Sequence, residues 1–160
     1  MQRELAKMGG HYIIYGAGRV GRSVAGELHA RGAHLAFTEK NAERAQWGLD
    51  NSFPVVIGNA HSEEALTRSH IDSTKSLMAA VTSDAENLYI VLTAHCMKPD
   101  MKIIARASEE EATPKLLLAE QTLGATEIRQ QTGALILALK LKSDDEPPEG
   151  DPAYNQEGLV

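Results

Sequence analysis

Cysteine and positive charge are both scarce in this sequence, and each shortage excludes a class of function. The one cysteine, Cys96, rules out an internal disulfide and a cysteine-rich metal site, and it is typical of a reducing cytosol. Lysine and arginine total 16 against 22 acidic residues, giving a formal net charge of −6 at pH 7. A nucleic-acid-binding domain needs a basic surface to neutralise phosphates, so we expect no nucleic-acid partner.

The sequence also lacks the features that direct a chain to or through a membrane. No apolar run approaches the ~18 residues needed to span a bilayer, and no secretory signal opens the chain. Hydrophobic residues still make up 42% of the composition, which is enough to build a core. From these totals we expect a soluble intracellular domain.

Stretches typical of strands and of helices alternate along the chain. We predict strands at 11–15, 33–39, 53–58, 75–82 and 101–107. The helices are predicted to begin near Gly18 and to cover 41–49, 62–70, 84–97 and 109–122. Near-continuous apolar strands, each followed by a helix, are typical of a parallel sheet covered on both faces. The predicted fold is therefore α/β, a Rossmann-like doubly wound parallel sheet.

The alternation ends at 123–128, and the sequence beyond differs in composition. Residues 126–160 contain an apolar run followed by an acidic, proline-rich stretch. We therefore place a domain boundary after residue 125. Residues 1–10 mix charged residues with two glycines and are predicted to form a linker, so the main domain is expected to cover 11–125.

The stretch GAGRVG, residues 16–21, matches the G-x-G-x-x-G pattern between a predicted strand and a predicted helix. Gly16 would permit the tight turn, Gly18 would let a pyrophosphate approach the backbone, and Gly21 would let the helix pack against the sheet. The helix N-terminus would offer free N–H groups and partial positive charge to phosphates. This context predicts a dinucleotide or nucleotide site.

Glu39 lies at the end of the second predicted strand, 21 residues after Gly18. An acidic side chain at that position can accept hydrogen bonds from both ribose hydroxyls of an adenosine. A carboxylate there disfavours a 2′-phosphate, so NADPH is not the expected ligand. The adjacent Lys40 is either a further contact or a surface charge.

Other strand ends supply further candidates in the same crevice. Asn59 follows the third strand and is either an adenine contact or a turn residue. Thr82 and Ser83 follow the fourth strand, which should border the first at the topological switch point. Asp84 is predicted to cap the next helix. Arg106 closes the fifth strand, where it either reaches a phosphate or belongs to a surface or interface.

With these residues in hand, the sequence resembles a known family over 11–125, the RCK (regulator of potassium conductance) or TrkA-N domain. The segments that carry the resemblance are HYIIYGAGRVGRSVAGEL, TEKNAER, VVIGNAHSEEALTRSHI, AAVTSDAENLYIVLTA and KIIARAS. They occur in family order and spacing, and TSDAEN and IIARAS are not general Rossmann features. Residues 126–160 resemble the start of the smaller C-terminal subdomain, TrkA-C, and are expected to form part of it.

The resemblance implies a cytoplasmic regulatory domain at the inner face of the membrane, attached to a potassium channel pore or to the membrane subunit of a potassium transporter. Such domains bind NAD(H) or an adenine nucleotide (ATP, ADP or AMP), and they form homodimers that assemble into a ring. The residues implied to hold phosphates are Gly16, Ala17, Gly18, Arg19 and Val20. Glu39 is implied to hold the ribose, Asn59 and Ala60 the adenine side, and Thr82, Ser83 and Arg106 the rest of the pocket.

The sequence departs from the family in two places. Calcium-gated relatives carry acidic residues in strand five where this chain has Arg106 and Ser108, and only Asp84 fits that cluster, so a Ca²⁺ site is not expected. The family also follows LGA with a strand and a crossover helix, whereas here Ala125 runs directly into Thr126. Either the strand and crossover helix are deleted from this protein, or residues that lie between Ala125 and Thr126 are left out of the numbered sequence.

Three alternatives to a channel's gating domain stay open. The basic lead-in before the first strand favours a channel over a freestanding Trk/Ktr-type uptake regulator, and a nucleotide-sensing subunit for another partner is also possible.

A small NAD-dependent oxidoreductase would need a proton donor near the nicotinamide. The histidines share no spacing that indicates a common site: His11, His29 and His34 are predicted at the surface, and His61 alone is placed near the crevice. Cys96 is predicted to be buried. We therefore expect no enzymatic activity.

Overall fold

The computed structural model describes residues 5, 7–59 and 62–107, together with the short segments 130–131 and 134–135. Its strands are β1 (Tyr12–Tyr15), β2 (Leu35–Glu39), β3 (Val55–Ile57), β4 (Ser76–Ala79) and β5 (Lys102–Ala105). They form one parallel sheet in the order β3-β2-β1-β4-β5. The predicted Rossmann-like α/β fold is confirmed.

Four helices connect these strands within the described residues. They are α1 (Arg19–Ala30), α2 (Ala42–Asp50), α3 (Glu63–Arg68) and α4 (Asp84–Met97). A single 3-10 turn, Ile71–Ser73, lies between α3 and β4. Strand β1 pairs with both β2 and β4, so successive units of the chain extend to opposite sides of β1. The carboxyl end of β1 is therefore the switch point of the sheet, where open α/β folds bind ligands.

Adjacent residues of each strand point to opposite faces of the sheet, and each face is covered by its own pair of helices. On one face Ile14 and Phe37 pack with residues of α1 and α2 such as Leu28. On the other face Ile13 packs with residues of α3 and α4 such as Ile90. Because both faces are buried, the central residues of the strands are apolar on both faces rather than alternating, and polar residues such as Glu39 and Lys102 stand at strand ends.

Among the described residues, the predicted helices begin within one residue of the observed ones, but one predicted helix cap is wrong. The side chain of Asn41 accepts a hydrogen bond from the Arg44 N–H and caps α2. The predicted cap of α4, Asp84, is wrong: Ser83 is the N-cap, and its Oγ accepts from the N–H of Glu86 at 3.2 Å. Asp84 is instead the first helical residue, where a carboxylate interacts favourably with the positive end of the helix.

Two predictions of burial are wrong. His11 was expected at the surface, but it is fully buried, with Nε2 2.9 Å from the carbonyl oxygen of Ser69. Cys96 was expected in the core, but it is exposed on α4. Leu5, within the predicted linker, is buried against Ala36 and Val56.

Several predictions fall outside the described residues. They include the helix at 109–122 and the positions of Ala60 and His61. Within the expected C-terminal subdomain, 126–160, the structure describes an antiparallel pair, β6 (Gln130–Gln131) and β7 (Ala134–Leu135).

Candidate functional site

The glycine-rich turn has the geometry that its sequence predicts at two of its three glycines. Gly16 has φ +96°, a conformation that favours glycine, and a β-carbon there would lie 3.0 Å from the carbonyl oxygen of Ala80. A β-carbon on Gly21 would collide with the carbonyl oxygen of Gly16, so glycine is what allows α1 to start so close to β1. Both glycines are therefore required by the fold itself.

Gly18 differs from the other two glycines. Its backbone is extended, with φ −80° and ψ −171°, and a β-carbon there would meet nothing within 4 Å. Packing therefore gives no reason for glycine at this position. Gly18 precedes α1, whose first turn carries no acidic residue and receives no side-chain cap from Gly18. The open space lies where the free N–H groups and positive end of α1 favour an anion.

Glu39 is held directly against the glycine-rich turn. Its Oε2 accepts a hydrogen bond from the N–H of Ala17 at 2.7 Å, and its Oε1 accepts from the N–H of Asn41 at 2.9 Å. The side chain is only 5% exposed, so these two bonds fix its orientation. Because each carboxylate oxygen can accept more than one hydrogen bond, acceptor capacity is left for ribose hydroxyls.

A crevice opens at the switch point between the ends of β2 and β4. It measures about 350 Å³ including the solvent at its mouth. Its walls are formed by Tyr15, Thr38, Glu39, Lys40, Arg44, Gly58, Val81, Thr82 and Glu86. Lys40 is not an isolated surface charge, since its Nζ lies 2.6 Å from Oε1 of Glu86 on the opposite wall.

The remaining predicted residues occupy different parts of this edge. Thr82 lines the crevice, whereas Ser83 is committed to capping α4. Arg106 lies beside the end of β4, where its Nη1 donates to the carbonyl oxygen of Val81 at 3.4 Å. Asn59 follows β3, and its carbonyl oxygen accepts from the N–H of Ser62. The walls of the crevice contain neither Arg106 nor Asn59.

Two residues that the sequence analysis did not select support the site from behind. The buried Asn87 accepts from the Val81 N–H and donates to the carbonyl oxygens of Val81 and Arg106, which fixes the loop after β4. Arg22 donates from Nε to the carbonyl oxygen of Ala17 at 2.8 Å, and its guanidinium lies 4.5 Å from the centre of the Trp47 ring. Arg22 thus joins the glycine-rich turn to α1 and α2.

Within residues 5, 7–59 and 62–107, no three His, Cys, Asp or Glu side chains are grouped so as to hold a metal ion. No helix in the described part of the chain is long and apolar enough to cross a bilayer.

The sheet order, the glycine-rich turn and the strand-end carboxylate together define an α/β domain of the nucleotide-binding Rossmann class. The model of the TrkA-N domain family matches residues 12–129. The chain belongs to this family, which confirms the TrkA-N resemblance found over residues 11–125.

Curated relatives include potassium channels and a transporter. Potassium channel protein 1 of Methanocaldococcus jannaschii is 31% identical over 121 residues, covering 74% of this chain and 36% of the relative. A probable potassium channel protein 2 of the same organism is 32% identical over 122 residues, with the same coverage. The putative cation/proton antiporter YbaL of Escherichia coli is 31% identical over 101 residues, covering 63% of this chain and 18% of the relative. The chain thus spans about a third or less of the length of these relatives.

Solved structures agree with the family assignment. The TrkA-N domain of YbaL from Escherichia coli has a TM-score of 0.66 at 28% identity, covering 74% of this chain and 85% of that chain. The GsuK channel bound to NAD has a TM-score of 0.63 at 25% identity, covering 71% and 20% respectively. The Shewanella denitrificans Kef C-terminal domain in its AMP-bound form has a TM-score of 0.62 at 26% identity, covering 73% and 69%.

Proposed function

We propose that this chain is the nucleotide-sensing regulatory domain of a potassium transport system, and that it gates a potassium channel. The observation that carries the proposal is the bond between Glu39 and the N–H of Ala17. It places a carboxylate suited to ribose beside the turn and helix end suited to phosphate, at the switch point of the sheet. A nucleotide would span these two features.

The ligand we propose is NAD(H) or an adenine nucleotide. The phosphates would lie at the start of α1 beside Gly18, and Glu39 would accept hydrogen bonds from the ribose hydroxyls. The structures of two relatives support this class, since one holds NAD and another holds AMP. The open space at Gly18 gives the backbone room to approach a phosphate.

A channel is favoured over a freestanding uptake regulator by the relatives. Two potassium channel proteins match over 74% of this chain, whereas the TrkA homologue of Pyrococcus horikoshii matches over 62% at 29% identity. The partner we propose is accordingly the membrane pore, with the domain on its cytoplasmic side.

We propose that copies of the chain pair as homodimers within a ring. The outer side of α4 supports this, since Tyr89 and Leu92 are exposed one helical turn apart.

We propose a regulatory role rather than an oxidoreductase activity. The described walls of the crevice contain no histidine or cysteine, and Glu39 is engaged by two backbone N–H groups. A ligand bound between Glu39 and Thr82 would touch both halves of the sheet. It could shift the conformation of the domain by its different affinity for two states, which is what gating requires.

Binding is tested by titration calorimetry on the chain with AMP, ADP, ATP, NAD and NADH. We expect at least one of them to bind, and we expect Gly18→Asp to abolish binding because it places a carboxylate where the phosphates belong. Gly26→Asp is the matched control, since Gly26 also has open space around it and lies on α1, away from the crevice. Failure of every nucleotide to bind the wild-type chain would refute the proposal. Sustained NADH oxidation with a small carbonyl substrate would favour the oxidoreductase instead.

A further inference from the structure

Tyr15 ends β1 and immediately precedes Gly16, so it lies at the centre of the switch point. Its side chain is 1% exposed and belongs to the core on the α3 and α4 side of the sheet. It also lines the crevice, with Thr38 and Gly58 on one side and Val81 and Thr82 on the other. Tyr15 is therefore both a core residue and one of the residues that line the crevice.

The hydroxyl of Tyr15 is buried and has no hydrogen-bond partner in the described part of the chain. Burial raises the pKa of Tyr15, an effect that the neighbouring Thr38 hydroxyl opposes, so the group is a neutral phenol with a hydrogen to donate. A buried hydroxyl without a partner destabilises the folded state, because it has lost its hydrogen bonds to water. Phenylalanine would fill the same volume without this cost, so packing does not explain the oxygen.

Thr38 cannot donate a hydrogen bond to this oxygen. The Oγ of Ser69 donates its single hydrogen to the carbonyl oxygen of Ala65 at 2.8 Å. The 2.8 Å contact between Thr38 Oγ1 and Ser69 Oγ must therefore use the hydrogen of Thr38. Thr38 could therefore serve the Tyr15 hydroxyl only as an acceptor, and the two hydroxyls do not meet hydrogen-bond geometry in this structure.

We propose that the Tyr15 hydroxyl donates a hydrogen bond to the nucleoside part of the bound nucleotide and so contributes to ligand specificity. This inference rests on the proposed nucleotide site. The nucleoside is the appropriate half of the ligand because Tyr15 lies beside Thr38 and Gly58, toward the β2 and β3 ends where Glu39 would hold the ribose. The phosphates would lie farther along the glycine-rich turn, at the start of α1.

The test compares Tyr15→Phe with Tyr12→Phe, which removes a hydroxyl from the opposite end of the same strand. Affinity for AMP and for adenosine is measured by calorimetry, and the melting temperature of the free protein is measured alongside. For Tyr15→Phe we expect about a tenfold loss of affinity for both ligands, because an acceptor on the nucleoside loses its donor. We expect the melting temperature of the free protein to stay unchanged or rise. Tyr12→Phe should bind both ligands like the wild type.

Several results would overturn the inference. One is wild-type affinity in Tyr15→Phe, and another is a loss confined to AMP, which would place the contact at the phosphate. A loss of affinity accompanied by a lower melting temperature would assign the hydroxyl to the fold. These outcomes leave the nucleotide site intact, as long as the wild-type chain binds AMP and Gly18→Asp does not. Absence of nucleotide binding to the wild type would refute the proposed function and this inference together.

Discussion

Lys40 and Glu86 form an ion pair across the crevice, with 2.6 Å between Nζ and Oε1, although 46 residues separate them in sequence. The pair joins the end of β2 to the first turn of α4. The two side chains are 56% and 23% exposed, so solvent screens the interaction and its contribution to stability is small. The pair lies beside the proposed nucleotide site, so we expect it to affect the affinity for anionic ligands more than it affects stability.

Removing Lys40 should weaken nucleotide binding more strongly as the ligand carries more charge. Lys40→Met removes a positive charge beside the proposed phosphate site and leaves the negative charge of Glu86 less screened, so we expect a severalfold loss of affinity for AMP and a larger loss for ATP. Glu86→Gln removes a negative charge from the crevice, so its affinity for ATP should rise more than its affinity for AMP, relative to the wild type. Calorimetry at low and high salt checks both variants. An equal change for AMP and ATP in either variant would show that the pair does not act through charge.

Glu39 should select an unphosphorylated ribose. Both carboxylate oxygens are fixed by backbone N–H groups, so a 2′-phosphate would be brought against an immobile negative charge. We expect NADH to bind at least tenfold more tightly than NADPH, and we expect Glu39→Gln to narrow that ratio. Glu43→Gln, on α2, is the control and should leave the ratio unchanged. Equal affinity of the wild-type chain for NADH and NADPH would contradict this role of Glu39.

Substitution by alanine should affect stability at Gly21 and nucleotide binding at Gly18. Gly21→Ala forces a β-carbon against the carbonyl oxygen of Gly16, so we expect a loss of about 3 kcal/mol or more in the free energy of unfolding. Gly18→Ala meets open space and should change stability by less than about 0.5 kcal/mol while weakening nucleotide binding. Urea denaturation measures the first effect and calorimetry the second. Similar losses of stability in both variants would contradict the open space around Gly18 in this structure.

These glycines illustrate what the sequence can predict. A tight turn between a strand and a helix is a local feature, so the pattern of residues 16–21 and the acidic residue at a strand end are enough to place the proposed site at this edge of the sheet. Contacts between distant segments are not local. Tyr15, Arg44 and Glu86 line the crevice only because β2 and β4 flank β1, an arrangement that no single stretch of sequence specifies.

The two errors in burial have a similar physical origin. Helix α4 is apolar on both its inner and outer sides: Ile90 and Val91 are buried, while Leu92 is exposed, so its periodicity does not show which side Cys96 is on. His11 precedes a strand, a position that is exposed in many proteins. Here the end of α3 covers it, because the carbonyl oxygen of Ser69 pairs with its ring. Sequence reasoning could not detect that contact across 58 residues.

Burial of His11 should make the stability of the domain depend on pH. Burial lowers the pKa of His11 below its usual 6.5, assisted by nearby His70 and Lys98 and opposed by hydrogen bonds to the backbone at Ser69 and Met8. The unfolded chain therefore takes up a proton at higher pH than the folded chain. Stability should be independent of this group above about pH 7 and should decrease as pH falls below 6.5, until the lowered pKa is passed.

The measurement that checks this is the free energy of unfolding between pH 8 and pH 5. We expect a slope of at most about 1.4 kcal/mol per pH unit from His11 in the wild type, and a smaller slope in His11→Gln. His34→Gln replaces an exposed histidine and should retain the wild-type slope. If His11→Gln shows the same pH dependence as the wild type, His11 is not the group responsible.

In the potassium transport system that we propose this domain regulates, Gly18→Asp should separate potassium flux from nucleotide concentration. Its β-carbon lies in open space, so the fold should persist, while the added carboxylate repels the phosphates. Since a ligand changes a conformational equilibrium only through its different affinity for the two states, a domain that cannot bind cannot shift the pore. We expect flux to remain measurable but to stay constant as nucleotide is varied, with Gly26→Asp retaining the wild-type response. Flux that still follows nucleotide in Gly18→Asp, after binding to the isolated chain is lost, would place the regulatory site elsewhere.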